Sequence, residues 1–536
     1  MKLENHPEVQ EAESRRSIFA AEIISLSVII GILYFRSLNF DFLQWDDDAY
    51  ITLNPYIRSF KPENIRAIFS YFFRSNYAPI HILSYSLDYA LWGLNSYGFH
   101  LANTLLHLLN TVLLYLLLLR FRISHWIALT TGIIFAIHPV QIETVVWLSQ
   151  RKSLLAFLFF MLSFHFYLAA GKGEDRHKCY LVLSVLAFLF SGLSKISAIT
   201  APILYLLYDR LLGRGCSKKN LLEKVPFFLI ALALGIVALI SQRSVTRVDY
   251  YGGTLFTNVL TVCVALVQYI RILFLPVHLS ALYYFEYRHI TEPAVLISLF
   301  VLAGITLFAV MIYRKNPELR FWILWPIVTI IPNLQIVPLL AVMADRYLYI
   351  PMVGVAVVAS KLLARAFLYA DHKVAIRISV FIILVLLGLL NDHQTKIWQD
   401  NATFWTATAQ RSPSPISLAH YGSVLLDQGD LEGARIAFTK ASDLNPDYPV
   451  ALMNLGIVEA KKGNKTGAKY YFKKASGKDS SWGMPFAFLG RLALEEKDFS
   501  EAAAQYEKAV KLEPQNAEYA RMLSYARRMD QMQKRR

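Results

Sequence analysis

Three consecutive carboxylates, Asp46, Asp47 and Asp48, follow the first long apolar segment of the chain, and Tyr50 comes shortly after them. Like charges this close disfavour one another's ionisation, so one of them is expected to titrate abnormally. Such a carboxylate could act as a general base while its neighbour positions a substrate or binds a divalent cation, Mg²⁺ or Mn²⁺. A solvated loop or a helix N-cap would use the same residues. Both interpretations stay open on the residues alone.

A second cluster surrounds Pro139, which ends a short apolar stretch. His138 and Glu143 flank this proline, and Arg151 and Lys152 follow them. The expected topology puts these cations on the outer side of a membrane, against the positive-inside trend, where they could bind phosphate. The alternative is a loop that caps helices and lets its basic side chains reach the interface.

Two further sites lie beside apolar segments. Lys195 separates two short segments, and a lysine near membrane depth is a functional candidate because its burial costs roughly 3 kcal/mol. Asp345 and Arg346 precede Pro351. Arg346 could grip a lipid phosphate while Asp345 orients it. Snorkelling of Lys195 and an ordinary ion pair between Asp345 and Arg346 are the structural alternatives.

Composition indicates that membrane helices must position these residues. Of the 536 residues, 55% are hydrophobic and 17% are charged, whereas a soluble domain has about 45–50% apolar and about 25% charged residues. The 14% aromatic content excludes a disordered chain, and 3 cysteines are too few for a disulfide scaffold. The net charge of +15 fits basic cytoplasmic loops and is no argument for nucleic acid.

The length of each apolar segment between 17 and 390 is compared with the roughly 20 residues that one membrane crossing requires. Basic loops fall on one side only if one segment does not cross, and 255–275 is interpreted as re-entrant or interfacial because it contains Gln268 and Arg271. The sequence thus predicts roughly eleven transmembrane helices. Residues 1–16 would be cytoplasmic, 39–98 and 242–293 would be outer loops, and the C-terminus would be outside.

The C-terminal region is soluble in composition and repeats every 34 residues. Glycine recurs at Gly422, Gly456 and Gly490, and this period is typical of paired-helix tetratricopeptide repeats. Alanine and aromatic positions keep the same step: Ala434, Ala468 and Ala502; Ala441, Ala475 and Ala509; Phe438, Phe472 and Tyr506. We expect repeats near 415–448, 449–482 and 483–516, a capping helix at 517–530, and a linker at 392–414. The predicted fold class is all-α, a membrane helix bundle followed by a repeat superhelix.

Five segments taken together resemble one family. They read WDDDAYITLNP (45–55), YGFHLANTLLHLLN (97–110), FAIHPVQIETVVWLSQRK (135–152), LSKISAITAPILYLLYD (193–209) and ADRYLYIP (344–351). The chain resembles the GT-C class membrane glycosyltransferases that end in tetratricopeptide repeats, which are related to dolichyl-phosphate-mannose protein O-mannosyltransferases. Animal members usually have Arg-Ala-Asp where this chain has Arg151-Lys152-Ser153. The tail is shorter than in animal relatives, which favours a bacterial member.

The resemblance implies an inverting transfer of a sugar from polyprenyl phosphate to an acceptor hydroxyl, on Ser or Thr of a protein. This would occur at the periplasmic face of a bacterial inner membrane, in a 17–391 catalytic domain. The catalytic pair maps onto Asp46 and Asp47, which could also hold a divalent cation. The donor phosphate would be bound by Arg151, Lys152, Lys195 and Arg346, with support from Asp48, Tyr50, His138, Glu143 and Asp345.

A phosphate-linked sugar carries its own leaving group, so one base and several cations are sufficient for this chemistry. The repeats would hold a protein acceptor or partner. Transfer to lipid or cell-surface glycan is the alternative within enzymes. The alternative outside enzymes is a non-catalytic membrane scaffold that displays the repeats.

Overall fold

The computed structural model describes residues 7–171, 176–213, 215, 217–243, 250–285, 289–339, 341–369 and 372–535. The described residues are mainly helical and contain no β-strand beyond one isolated bridge between Phe73 and Asn76. This confirms the all-α fold class. The chain divides into two compact units, Met1–Asp400 and Asn401–Arg536.

The first unit is a helical membrane domain. Its helices are α1 (Pro7–Tyr34), α2 (Pro62–Ser70), α3 (Pro79–Trp92), α4 (Ser96–Arg120), α5 (His125–Ile137), α6 (Ile142–Val146), α7 (Arg151–Ala170), α8 (His177–Ser194), α9 (Ala201–Leu211), α10 (Lys218–Leu222), α11 (Val225–Arg243), α12 (Leu255–Phe274), α13 (Pro293–Lys315), α14 (Arg320–Ile330), α15 (Met352–Tyr369) and α16 (Lys373–Thr395). The protein is a multi-pass membrane protein.

The count of crossings differs from the predicted one. Within the described ranges, nine helices are long and apolar enough to cross a bilayer, or ten if the bent pair around Pro139 is one span. Two segments read as crossings, α9 and α14, form helices of only 11 residues, which are too short to span alone. By contrast, α12 is one continuous helix of 20 residues, so it has the length of a span and lacks the break of a re-entrant hairpin. The predicted number of roughly eleven is not confirmed.

The predicted site residues lie at breaks and ends of helices. Asp48 begins a short π-helical turn, Asp48–Thr52. Pro139 follows α5 because proline lacks an N–H and cannot continue the helix, and the chain bends by 56° there. Arg151 begins α7, whereas Lys195 follows α8 in an extended conformation. These interruptions leave polar side chains at the ends of apolar helices.

Helix α7 lies deepest in the unit. In its apolar window, 72% of the residues are buried, compared with 44% or less in the other long helices of the described ranges. Aromatic rings from three helices pack around it, and Phe164 contacts Tyr205 at 5.1 Å and Trp325 at 6.1 Å between ring centroids. The two residues that begin α7, Arg151 and Lys152, are therefore fixed by the most tightly packed helix of the domain.

The second unit consists of antiparallel helix pairs. Its helices are α17 (Asn401–Arg411), α18 (Pro415–Asp427), α19 (Leu431–Leu444), α20 (Pro449–Lys461), α21 (Lys465–Lys478), α22 (Gly483–Glu495), α23 (Phe499–Leu512) and α24 (Ala517–Lys534). Residues 392–414, expected as a linker, are instead mostly helical. The Trp405 ring of α17 stacks on His420 of α18 at 3.9 Å.

The 34-residue glycine period has a direct packing cause. A Cβ atom on Gly456 would come within 2.4 Å of the Phe472 ring, and one on Gly422 would come within 2.6 Å of the Phe438 ring. The first helix of each repeat thus approaches the second so closely that only hydrogen fits. The turn between paired helices uses a left-handed residue, which is Gly463 in the second repeat and Lys497 in the third.

Candidate functional site

Asp47 is held by three hydrogen bonds inside the membrane domain. Its side chain is 1% exposed. One carboxylate oxygen accepts from the Leu43 N–H at 3.0 Å, and the other accepts from the Ser149 N–H at 3.0 Å and from the Ser149 hydroxyl. Burial raises the pKa of Asp47 to about 6; the bonds from Ser149 and Leu43 oppose this rise, and the charge of Asp46 adds to it. Asp47 therefore ties the loop after α1 to the α6–α7 connection.

Asp46 has a more open position and faces several cations. Its side chain is 24% exposed and lies 3.8 Å from the Arg74 guanidinium. Its charge also attracts Lys152 and Arg346. Asp48 accepts a hydrogen bond from the Thr52 hydroxyl at 2.9 Å within the same turn. Of the three carboxylates, Asp46 is thus the one that combines solvent access with a cationic environment.

Tyr50 supports the first of these cations. The Lys152 ammonium lies 3.5 Å from the Tyr50 hydroxyl and 4.9 Å from the centre of its ring. Asn76 donates a hydrogen bond to the same hydroxyl at 3.3 Å. Burial, and then the charge of Asp46, raise the pKa of Tyr50 far above its usual range, so the phenol stays neutral. A neutral phenol orients Lys152 without neutralising its charge.

Arg346 is oriented by Glu143. Both carboxylate oxygens of Glu143 are used, one by the Arg346 backbone N–H at 2.8 Å and the other by its guanidinium. The guanidinium also lies 5.5 Å from the Trp147 ring and 5.2 Å from the Tyr347 ring. Burial lowers the pKa of Arg346, but Glu143, Tyr347 and Asp46 together outweigh this effect and the pKa is raised.

Lys195 reaches the same region from the end of α8. Its ammonium donates to the Ser153 hydroxyl at 2.8 Å and lies 5.8 Å from the Tyr347 ring. Burial, followed by repulsion from Lys152 and Arg346, lowers the pKa of Lys195 well below its usual value. A narrow cavity is lined by Lys195, Arg346 and Ser153. An anion placed there would relieve the repulsion between these cations.

Arg151 differs from the other predicted phosphate ligands because each of its three guanidinium nitrogens already contacts a buried protein group. Its guanidinium forms a buried ion pair with Asp88 at 2.5 Å and donates to Asn103 Oδ1 at 2.7 Å and to the Phe99 carbonyl at 2.8 Å. The Tyr85 ring covers it at 4.6 Å. With 1% exposure, Arg151 fixes the start of α7 and is enclosed on all sides by its partners.

Two other predicted residues also have structural partners. His138 accepts from the Val140 N–H at 3.3 Å and lies 3.1 Å from the Leu273 carbonyl, so it caps the turn after Pro139. Asp345 accepts a hydrogen bond from the Tyr283 hydroxyl at 2.7 Å. The carboxylate that forms the ion pair with Arg346 is that of Glu143.

Sequence reasoning missed Ser149 and Arg74 as neighbours of the acidic pair. Ser149 lies inside one of the segments that carry the resemblance, so attention to hydroxyls beside the basic pair would have found it. Arg74 stands in a loop with φ of +48°, and no local pattern marks it. Its pairing with Asp46 depends on how the segment between α1 and α3 folds back on itself.

The surroundings of the acidic pair do not fit a divalent cation. Both oxygens of Asp47 accept hydrogen bonds, and Asp46 faces Arg74, Lys152 and Arg346. A hard cation needs several oxygen ligands and is repelled by neighbouring positive charges. In the part of the chain that the structure describes, no three His, Cys, Asp or Glu side chains come close enough to hold a metal.

Comparison with known proteins finds relatives for both units. The tetratricopeptide-repeat family model matches residues 422–481 and 489–531. The Caenorhabditis elegans protein O-mannosyl-transferase F38B6.6 is 24% identical over 458 residues, which are 80% of this chain and 62% of that protein. The Drosophila melanogaster protein O-mannosyl-transferase Tmtc1 is 29% identical over 209 residues, 37% of this chain and 24% of that protein.

Both of these proteins that the chain resembles are protein O-mannosyl-transferases. The resemblance stated from the sequence is thereby confirmed, and so are the tetratricopeptide repeats. The Mus musculus protein O-mannosyl-transferase TMTC1 is 32% identical over 197 residues, 33% of this chain and 21% of that protein. The chain spans less than two thirds of the length of each of these curated relatives.

Two solved structures show distant similarity. An Archaeoglobus fulgidus oligosaccharyltransferase tethered with an acceptor peptide has a TM-score of 0.43 at 14% identity, covering 77% of this chain and 58% of that chain. ArnT from Cupriavidus metallidurans bound to undecaprenyl phosphate has a TM-score of 0.37 at 14% identity, covering 84% and 79%.

Proposed function

We propose that the protein is an inverting glycosyltransferase that moves a sugar from a polyprenyl-phosphate carrier to the hydroxyl of Ser or Thr in a protein. The observation that carries the proposal is that Asp46 lies within electrostatic range of Lys152 and Arg346, which come from distant parts of the sequence. A base beside a group of cations is what the displacement of a phosphate-linked sugar requires. The similarity to protein O-mannosyl-transferases supports the same reaction class.

Asp46 is the proposed base. Its carboxylate is partly exposed, whereas Asp47 uses both oxygens to hold the loop. Asp46 takes the proton of the acceptor hydroxyl as the oxygen attacks the anomeric carbon. The new glycosidic C–O bond forms while the bond from that carbon to the phosphate oxygen breaks. Because this is one displacement, the anomeric configuration inverts.

Lys152, Lys195 and Arg346 are proposed to bind the departing phosphate. The electron pair of the broken bond stays on the phosphate, whose negative charge these side chains stabilise. Glu143 and Tyr50 hold two of these cations in place. Arg151, predicted as a phosphate ligand, is assigned a positioning role, because Asp88 and Asn103 occupy its donors.

The proposed location is a bacterial inner membrane, with the site and the repeats facing the periplasm. Single cysteines at 480 and 217, both exposed positions, test this in intact cells with an impermeant thiol reagent. Labelling at 480 and protection at 217 are expected. The reverse pattern would put the repeats in the cytoplasm and contradict the proposed side.

The activity test compares two substitutions in one loop. Purified protein in nanodiscs is given polyprenyl-phosphate sugars and Ser/Thr peptides, and transfer is followed by mass spectrometry. Asp46→Asn is expected to lower kcat at least about 100-fold, because general-base catalysis contributes about 10²–10⁴-fold. Asp48→Asn is the matched control and should retain most activity, since Asp48 bonds only within its own turn among the described contacts.

Full transfer by Asp46→Asn would remove the proposed base, and absence of transfer by the wild-type protein from every donor would favour the scaffold. Product on lipid or glycan acceptors only would change the acceptor class. Deletion of 412–536 tests recruitment by the repeats. Undiminished transfer to protein after that deletion would contradict acceptor binding by this unit.

A further inference from the structure

A second cleft lies in the membrane domain, away from the candidate site. It has a volume of about 560 Å³ and opens between the C-terminal part of α4 and the second half of α7. Helix α7 begins at the site with Arg151, and its cleft residues Leu162 and Phe166 lie about 16–22 Å further along the axis. The cleft therefore belongs to the opposite end of both helices. It has taken no part in the proposed reaction.

The lining of the cleft is divided by polarity. Its walls are apolar and consist of Leu113, Leu116, Leu119, Leu162 and Phe166. The basic side chains of Arg120 and Arg122 form its rim, and His165 completes the lining. Arg120 and Arg122 are exposed, and within the described ranges neither guanidinium has a carboxylate within salt-bridge distance. Apolar walls below two cations that have no carboxylate partner among the described residues match a ligand with a hydrocarbon chain and an anionic head.

The backbone gives an independent reason to regard Arg122 as functional. The Arg122 N–H bonds the Leu119 carbonyl at 2.9 Å, and the Ile123 N–H bonds the Leu118 carbonyl at 3.1 Å, so α4 ends in a Schellman motif. Arg122 occupies its left-handed position with φ of +58°. Glycine is the usual residue there because a side chain is strained. An arginine at this position keeps its charge at the rim despite that strain.

Arg120 is oriented across the cleft. Its guanidinium donates to the His165 carbonyl at 2.8 Å, which links the end of α4 to α7. The His165 ring lies 3.0 Å from the Leu113 carbonyl and links the two helices a second time. Two polar contacts thus join α4 to α7 at the cleft. The remaining guanidinium N–H groups of Arg120 can bind a ligand.

We propose that this cleft binds an anionic glycerophospholipid, with the lipid phosphate on Arg120 and Arg122 and an acyl chain along the leucines. The rim lies at the ends of two membrane-crossing helices, which is the depth of phospholipid headgroups. A polyprenyl phosphate is the less suitable occupant, because the cations assigned to the donor lie at the other end of α7. The choice of a glycerophospholipid over a polyprenyl phosphate rests on the proposed function, whereas the affinity of the cleft for an anionic lipid does not.

The test measures lipid binding by the full chain. Protein in detergent is titrated with phosphatidylglycerol, phosphatidylcholine or undecaprenyl phosphate, and bound lipid is counted by native mass spectrometry. Arg122→Gly removes the charge but keeps the backbone that the Schellman motif needs, and Leu116→Trp fills the cleft but keeps both charges. Lys178→Gln, an exposed cation at the start of α8, is the matched control.

Phosphatidylglycerol is expected to bind more tightly than phosphatidylcholine, and Arg122→Gly is expected to weaken it about fivefold with a melting temperature at or above that of the wild type. Leu116→Trp should weaken binding as well, and Lys178→Gln should leave it unchanged. Wild-type affinity in Arg122→Gly or in Leu116→Trp would overturn the proposal. An equal loss of affinity in Lys178→Gln would indicate diffuse electrostatic attraction and would also overturn it. Tighter binding of undecaprenyl phosphate in this cleft would overturn it as well.

Discussion

Replacing Asp47 by Asn should remove the pH dependence of one contribution to stability. In the folded protein burial raises the pKa of Asp47 to about 6 from 3.8. An acid whose folded pKa is raised holds its proton more tightly in the folded state than in the unfolded state. The folded state is therefore favoured below pH 3.8, and this advantage is lost as the pH rises to about 6.

The magnitude follows from the size of the shift. A difference of about two pKa units corresponds to about 3 kcal/mol of unfolding free energy above pH 6, and a buried group with 1% exposure experiences most of it. Asparagine removes this penalty because it cannot ionise. Its amide N–H₂ group would, however, face one of the donors, the Leu43 or the Ser149 N–H. That unsatisfied contact costs about 1–3 kcal/mol at every pH.

Asp47→Asn is thus expected to be less stable than the wild type at pH 4 and equally or more stable at pH 7.5. The difference between the two unfolding free energies should change by about 3 kcal/mol over that interval. SDS titrations in mixed micelles, followed by tryptophan fluorescence at several pH values, measure it. Asp48→Asn controls for the loss of a charge in the same loop. Parallel curves for wild type and Asp47→Asn would refute the reasoning.

Three further substitutions test the packing of the two units. Arg151→Met should lower the unfolding free energy by about 3–5 kcal/mol because it strands the buried Asp88 carboxylate, and adding Asp88→Asn should recover part of that loss in the same SDS titration. Gly456→Ala forces a Cβ into the Phe472 ring and should cost about 1–3 kcal/mol, seen as faster amide exchange in α20 and α21 only. Lys497→Gly relieves a φ of +60°. It should raise the free energy of opening, measured by amide exchange in α22 and α23, by up to about 1 kcal/mol. Faster exchange would contradict this.

The geometry of the site separates residues that the sequence could not rank. Three adjacent carboxylates look equivalent in the sequence, yet Asp47 is buried, Asp46 faces cations and Asp48 bonds within its turn. The adjacent Arg151 and Lys152 look equally suited to phosphate. Arg151 is enclosed by Asp88 and Asn103, whereas the Lys152 ammonium lies within electrostatic range of the acidic pair. Successive residues of a helix differ by about 100° in side-chain direction. This difference is enough to place one side chain in the buried core and the next one at the site.

The sequence by itself determined whatever depends on local composition and period. Apolar segments long enough for a bilayer specify a membrane domain, and the 34-residue step that places Gly456 against Phe472 specifies paired helices. Tertiary structure alone decided which charges meet. Asp47 bonds Ser149 across 102 positions, and Glu143 holds Arg346 across 203. Helix formation is governed by neighbours within one or two turns. These contacts instead depend on how α4, α7 and α8 pack and on the burial of the charged groups, which a short stretch of sequence does not determine.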